Sequence, residues 1–373
     1  MSNINDYLLW RGDIKINDNF KFNEVDSMIL ARFSYLRFDK IELESAETIE
    51  SISNKMKDFA NEEFLYNGDK ELITNLGLSK RFNCMTITDW EQNSDNETEK
   101  QFGAITIHIS DKELYVSYIG TDCTINGWKE DFNMAFMHNV PCQIAGKIYL
   151  EEIAKKYPEK RIRIGGHSKG GNVAIYSAIA ASEDVKKRII KVDNYDGPGF
   201  NKEIIEEYAK SQILDKIETY LPQDSIIGRI LNHKEKTTVV LSLEKGIYQH
   251  DIYSWQILRD KPIKLEKNTS MSEDVNKTIT TWLETTDVYQ RKIFIDSLFD
   301  LFFSTEANTF GDISKNLSIA IPKILQKYKE IPQEDKKTAT NMLKLFISSY
   351  INVLKEKQNA KFENLREQYK FKI

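Results

Sequence analysis

Gly166, Ser168 and Gly170 form a G-x-S-x-G pattern within Arg161-Ile162-Arg163-Ile164-Gly165-Gly166-His167-Ser168-Lys169-Gly170-Gly171-Asn172. A serine hydroxyl in this setting is a nucleophile for acyl transfer, provided that a base takes its proton and a third group orients the base. The flanks supply the setting. Ile162 and Ile164 give the preceding run β character, and Val173, Ala174, Ser177 and Ala178 are small residues at helical spacing. Strand, tight turn and helix place such a serine on a strained corner above a sheet. Gly166 and Gly170 fit where strand and helix approach too closely for side chains. The helix that follows points its first N–H groups at the reacting centre.

The base must be one of five histidines, His108, His138, His167, His233 and His250. In hydrolases built on α/β sheets the order is serine, acid, histidine, which leaves His233 and His250. His250 follows a strand, in Gly246-Ile247-Tyr248-Gln249-His250-Asp251, and is the expected base. His233 sits in a charged segment that reads as solvated, and His167 reads as a structural neighbour of the serine. Two strand-end aspartates compete as the acid. Asp224 is preferred and Asp196, in the turn Asp196-Gly197-Pro198-Gly199, is the alternative. For the oxyanion hole, one N–H comes from Lys169, the residue after the nucleophile. The second is expected after the strand Val116–Ile119, where Gly120 permits a sharp turn and Thr121 follows.

The elements that would carry these residues follow from periodicity. Residues 1–80 read as mostly helical, with candidates at Asn23 to Phe38, 46–60 and 70–77. Runs at Phe82–Trp90, Gly103–Ile109 and Leu114–Ile119 have β character, the first two joined by a polar linker, Glu91 to Glu97. A helix is expected from Gln143 to Lys156, with Ile144, Ile148, Ile153 and Ala154 near one face. Strands are expected at Ile189–Tyr195, Ile217–Leu221 and Thr237–Leu243. Strands alternating with helices predict an α/β sheet. From about Lys267 the chain turns helical, with breaks near Pro322 and Pro332. The expected division is an N-terminal helical segment over 1–80, an α/β core over 81–265 and a helical C-terminal extension over 266–373.

Composition narrows the partners. The 373 residues carry 52 Lys plus Arg against 57 Asp plus Glu, a net charge of −5, and no basic stripe that would suit nucleic acid. Cys84, Cys123 and Cys142 lack the number and spacing for a disulfide framework or a metal site, so reduced thiols are expected. The first residues have neither a basic region nor an apolar core, and no apolar run reaches about 18 residues. The expected compartment is the cytoplasm. The tail is rich in aromatics at Val288–Phe303 and apolar residues at Asn341–Leu354. Mutual packing of these helices is the preferred reading, and a lid, a transient membrane-surface contact or a dimer face is the sharper one.

Several segments resemble a known family. Ile119-Gly120-Thr121-Asp122 with Gly127-Trp128-Lys129-Glu130-Asp131-Phe132 resembles the oxyanion segment of class three lipases. Gly166 to Asn172 resembles their nucleophile segment and Asp224-Ser225-Ile226-Ile227 their acid segment. Closer still is a bacterial lipase-like α/β-hydrolase family of unassigned function. It is similar at Asp6–Asp13, Phe22–Asp26, Asp196–Phe200 and Gln249–Asp251, over roughly residues 4–260. The resemblance implies an α/β-hydrolase fold, with Ser168 as nucleophile, Asp224 as acid, His250 as base and Thr121 with Lys169 at the oxyanion hole. It implies a cofactor-free serine hydrolase of a carboxylic ester, either a small ester or a lipid. The alternative is a non-catalytic binding or signalling module on the same fold. Lys169 stands where class three lipases commonly carry Leu, and Ile119 where they carry Arg. A cation at 169 would favour an anionic substrate or point outward to solvent. Long-chain triglyceride does not carry over as the substrate.

Overall fold

The structure is a computed structural model and describes residues 2–95, 100–121, 124–134, 136–209 and 211–370. Asp122 and Cys123 of the sequence reading lie outside the described residues.

Helices α1 (Ile4–Arg11) and α2 (Glu24–Phe33) start on asparagine caps. Asn3 and Asn23 accept from the first-turn N–H groups, while Asp6 and Asp26 reach back to the cap N–H. Short strand β1 (Glu47–Thr48) precedes α3 (Ile49–Met56) and α4 (Asp69–Leu78). Next come β2 (Thr86–Asp95), β3 (Lys100–His108) and β4 (Glu113–Tyr118). Helices α5 (Ile125–Asn133) and α6 (Pro141–Lys156) lead to β5 (Arg161–His167). Then follow α7 (Lys169–Ala180), α8 (Glu183–Arg188), β6 (Ile189–Tyr195), α9 (Lys202–Tyr208), β7 (Ile217–Pro222) and β8 (Lys236–Val240). Strands β9 (Ile257–Leu258) and β10 (Lys261–Pro262) form a small ribbon, and β11 (Lys264–Leu265) closes the main sheet's edge.

Among the described residues the main sheet runs β1-β2-β3-β4-β5-β6-β7-β8-β11. Pairing is antiparallel from β1 to β4, parallel from β4 to β8, and antiparallel again at β11. The parallel strands from β4 to β7 are joined through helices, and β4 and β7 are buried almost throughout, as expected of a sheet covered on both faces. This is an α/β-hydrolase fold. Strands β5 and β6 are neighbours, so their C-terminal ends meet at the centre of the sheet.

Each face has its own core. Residues of α1–α4, including Ile4, Val25, Met28, Ile29, Ile52 and Leu72, bury one face against Ile105, Tyr115, Tyr195 and Tyr220. Residues of α6, α7 and α9, including Leu150, Ile153, Val173 and Ile204, bury the other against Val116, Ile164 and Val192. The N-terminal helices are thus one wall of the core. Val25 through Phe33 are all buried, and two ion pairs are buried among them. Arg32 makes a two-pronged bond to Asp69 at 2.9 and 2.8 Å. Arg81 holds Asp26 from Nε at 2.7 Å.

The C-terminal chain forms α10 (Ser270–Glu284), α11 (Val288–Phe303), α12 (Phe310–Lys315), α13 (Leu317–Glu330) and α14 (Gln333–Lys370). Trp282 Nε1 donates to the Met342 carbonyl at 3.1 Å, tying α10 to α14. Phe299 of α11 lies 5.6 Å from Phe132 of α5, and Asp296 pairs with Lys129 at 3.3 Å. The tail therefore braces the helix after β4. Leu317, Ile321, Leu325 and Tyr328 on α13, and Leu343, Ile347, Tyr350 and Leu354 on α14, remain exposed. No helix among the described residues is long and apolar enough to cross a membrane.

Three expectations need correction. Glu91–Asp95 is strand, paired as far as Asp95 with Lys100, because cross-strand bonding overrides the polar composition. On α6 the buried stripe is Cys142, Gly146, Tyr149, Leu150 and Ile153, while Ile144 and Ile148 are exposed. Pro322 sits inside α13 rather than ending a helix, while Pro332 does lie between α13 and α14.

Candidate functional site

The turn from β5 to α7 puts Ser168 at φ 58° and ψ −135°. A non-glycine residue there is strained, by about 1–3 kcal/mol. The surroundings hold it. Its N–H donates to the Tyr195 carbonyl at 2.9 Å, and its carbonyl accepts from Gly171 N at 2.9 Å. The two motif glycines serve close backbone packing. A Cβ on Gly166 would lie 2.3 Å from the Gly170 carbonyl carbon, and one on Gly170 would lie 2.2 Å from the Tyr118 oxygen. Helix α7 thus starts directly against the ends of β4 and β5.

Asp196 follows β6 and also has a positive φ, 52°. Its N–H donates to the Tyr220 carbonyl at 2.9 Å. The next residue, Gly197, sits so close to the elbow that a Cβ would lie 2.3 Å from the Ser168 oxygen. The carboxylate is 1% exposed. Its Oδ1 accepts from Ser225 Oγ at 2.5 Å and Gly228 N at 3.2 Å, and its Oδ2 lies 2.7 Å from His250 Nδ1. A carboxylate partner makes Nδ1 the donor, so in the neutral ring the lone pair is on Nε2.

His250 ends the short turn Gly246–His250 after β8. A second contact seats it. His167 Nε2 donates to the His250 carbonyl at 2.7 Å, and the two rings lie 4.5 Å apart at 34°. Burial pushes the His167 imidazole well below its ordinary value, helped by the charges of His250 and Arg32. His167 is therefore a neutral spacer between Ser168 and the His250 loop, and the expectation that it is structural agrees with this geometry.

Asp224, the preferred acid of the sequence reading, does not meet His250. Its Oδ2 accepts from Gln249 Nε2 at 3.1 Å, its N–H donates to Gln249 Oε1 at 2.8 Å, and its Oδ1 accepts from Thr269. It ties the histidine's neighbour to the start of α10. The physical reason is sheet order. β6 adjoins β5, so Asp196 emerges beside the elbow, whereas β7 is one strand further out. His233 is also corrected. It is bonded to Glu235 Oε1 at 2.8 Å and the Gly228 carbonyl at 2.7 Å, not solvated. His108 bonds Thr88 of β2 and Lys160, just before β5, and His138 is exposed.

At the end of β4, Gly120 passes so close to the elbow that a Cβ would meet Tyr35 Oη at 2.0 Å and the His167 carbonyl at 2.7 Å. Tyr35 Oη itself donates to that carbonyl at 2.9 Å. Thr121 Oγ1 donates to Asp131 Oδ2 at 2.5 Å. Burial raises the Asp131 carboxyl from 3.8 to about 6, against the opposing pull of Lys169. The Lys169 side chain does not point to solvent. It is 1% exposed, and its Nζ donates to Glu130 Oε2 at 2.9 Å. Tyr35, Gln101, Glu130 and Asp131 were not singled out by the sequence reading. Only Glu130 and Asp131 carried a signal, through the resemblance at Gly127–Phe132.

Among the described residues no cluster of His, Cys, Asp and Glu could hold a metal ion. A cavity of about 750 Å³ opens beside Asn201, Asn232, Leu283 and Arg291. Ser168, Asp196 and His250 are not among its walls. Ile247 and Tyr248, in the turn that ends at His250, and Phe132, next to Asp131 in the chain, are exposed apolar side chains.

The profile of a family described as Mbeg1-like matches residues 76–300. No curated protein matches the chain. Solved structures with a similar chain path include lipase II from Rhizopus niveus, at 12% identity and a TM-score of 0.32, covering 42% of this chain and 67% of that one. The Rhizomucor miehei lipase propeptide complex has 13% identity and a TM-score of 0.32, covering 42% and 57%. A Penicillium cyclopium MDLA variant has 11% identity and a TM-score of 0.38, covering 66% and 86%. The chain spans little more than half of the Rhizomucor protein's length.

Proposed function

The chain belongs to the Mbeg1-like family, and on that premise we propose that it is a serine hydrolase that cleaves a carboxylic ester through an acyl-enzyme. The observation that carries the reading is the 2.7 Å contact of His250 Nδ1 with the buried Asp196, on a loop seated against the residue before Ser168.

In the proposed reaction Ser168 Oγ attacks the ester carbonyl as its proton passes to His250 Nε2. Asp196 keeps the ring in the required tautomer and stabilises the imidazolium that forms. Its other oxygen is held by Ser225 and Gly228, so it does not swing away. The tetrahedral oxyanion takes hydrogen bonds from the backbone N–H groups of Lys169 and Thr121. Collapse expels the alcohol with the proton from His250 and leaves the acyl group on Ser168. Water, deprotonated by His250, then releases the acid. No step requires a cofactor. The exposed Ile247, Tyr248 and Phe132 suit an apolar acyl group, which favours an ester with a hydrocarbon acyl chain, of a small molecule or of a lipid.

Labelling with a fluorophosphonate and hydrolysis of p-nitrophenyl butyrate test the reading. Both are expected in the parent and neither in Ser168→Ala. A folded parent that does neither overturns the proposal in favour of a binding module on the same fold.

A further inference from the structure

The buried charges beside Ser168 have no place in the proton relay. Lys169 Nζ uses all three of its protons. It donates to Glu130 Oε2 at 2.9 Å, to Gln101 Oε1 at 2.5 Å and to the Gln101 carbonyl at 3.1 Å. Glu130 Oε2 also accepts from Gln101 N at 3.0 Å, and its Oε1 accepts from Cys142 N at 2.8 Å. Lys169, Glu130 and Gln101 are all nearly inaccessible to solvent. Burial alone would pull the Lys169 ammonium down, but Glu130 and Asp131 outweigh it and hold the charge in place.

The network ends on the segment that would supply the second oxyanion donor. Gln101 Nε2 donates to the Gly120 carbonyl at 3.3 Å. Asp131, adjacent to Glu130, takes the Thr121 hydroxyl and has its Oδ1 3.9 Å from Lys169 Nζ. Both residues of that segment are therefore tied to the side chain of Lys169, whose own N–H opens α7. A buried ion pair is weak support for stability, since its desolvation offsets most of its attraction. A rigid, fully satisfied network is well suited to fixing geometry.

We infer that the Lys169–Glu130 pair, bridged by Gln101, is a positioning clamp that sets the distance between the two oxyanion N–H donors, at Lys169 and Thr121. The inference rests on the serine-hydrolase reading. The clamp touches no substrate. It acts by holding the end of β4 against the start of α7 while charge develops on the carbonyl oxygen. Preorganised donors lose effect steeply when displaced, and one donor is worth about 10²–10³-fold in kcat.

The test replaces the pair by apolar residues of similar size, Lys169→Met with Glu130→Leu, so that neither partner of the pair is left as a lone buried charge. The parent and the variant are compared for p-nitrophenyl butyrate hydrolysis, for inhibition by an alkyl trifluoromethyl ketone, whose adduct places an oxyanion in the hole, and for melting temperature. A folded variant is expected to lose about 10- to 100-fold in kcat with KM nearly unchanged. Ketone inhibition is expected to weaken by the same factor. If the double variant does not fold, Gln101→Leu keeps the ion pair and cuts the link to Gly120, with a smaller loss of the same kind. A folded variant with parental kcat and ketone affinity overturns the clamp and leaves the hydrolase reading standing. A parent that neither hydrolyses the ester nor binds the ketone overturns both.

Discussion

His250 Nδ1 and Asp196 Oδ2 lie 2.7 Å apart although 54 residues separate them in the chain. Asp224, nearer in sequence and also at the end of a strand, is instead bonded to Gln249 and Thr269. The two carboxylates therefore predict opposite phenotypes. Asp196→Asn should lower kcat by about 10³- to 10⁴-fold, because an amide beside Nδ1 disfavours the working tautomer. Asp224→Asn should keep most of the activity and cost about 1–2 kcal/mol of stability, the scale of its hydrogen bonds. Steady-state kinetics and melting of both variants decide this, and equal losses of kcat would contradict it.

The φ of 58° at Ser168 predicts a gain of stability on losing function. Ser168→Gly relieves the strain and Ser168→Ala does not. Both should be inactive, and the glycine variant should be more stable than the alanine variant by about 1 kcal/mol after its entropy cost. Denaturant midpoints measured side by side give the answer, and an alanine variant at least as stable would mean that the turn is unstrained.

Asp131 sets a pH dependence. Its carboxyl is raised from 3.8 to about 6, first by burial and then by Glu130, against the charges of Lys169 and His250 and the Thr121 hydrogen bond. Below pH 3.8 both folded and unfolded chains hold the proton. Between 3.8 and 6 the folded chain holds more, so this group's contribution to stability falls as pH rises, and the penalty is complete above 6. Asp131→Asn cannot titrate. Its stability relative to the parent should therefore be higher at pH 7 than at pH 4. A difference independent of pH would refute the shift.

Arg32 and Asp69 test whether the N-terminal helices belong to the core. Both side chains are essentially buried, 1% and 0% exposed. Arg32→Met strands the Asp69 carboxylate and should cost about 3–5 kcal/mol, while Arg32→Met with Asp69→Leu should recover much of it. Urea unfolding of the two variants measures the difference. A small loss in the single variant would mean that this segment is loosely attached.

Local patterns made much of the molecule readable before any fold was known. The small residues Val173, Ala174 and Ala178 after a Gly-flanked serine specify a strand-turn-helix corner, because only that backbone needs both Gly166 and Gly170. Periodicity placed β2 to β8 and helices α3, α4 and α6 to within about five residues, and missed the short edge strands β1 and β11. It failed where long-range contact outweighs composition. Polar Glu91–Asp95 became strand by pairing with Lys100–Ala104, and Ile144 and Ile148 faced outward on α6.

The sequence by itself determined the strand-turn-helix corner at Ser168 and the alternation of strands and helices, and it singled out His250 as the candidate base, since each depends on residues close together in the chain. Tertiary structure decided which aspartate reaches His250, where the Lys169 cation goes and what holds Gly120 and Thr121. Those outcomes depend on strand order and on burial. β6 lies beside β5, and a lysine that can satisfy three hydrogen bonds on Glu130 and Gln101 is held inside the fold, where a linear reading had weighed only an anionic substrate or solvent.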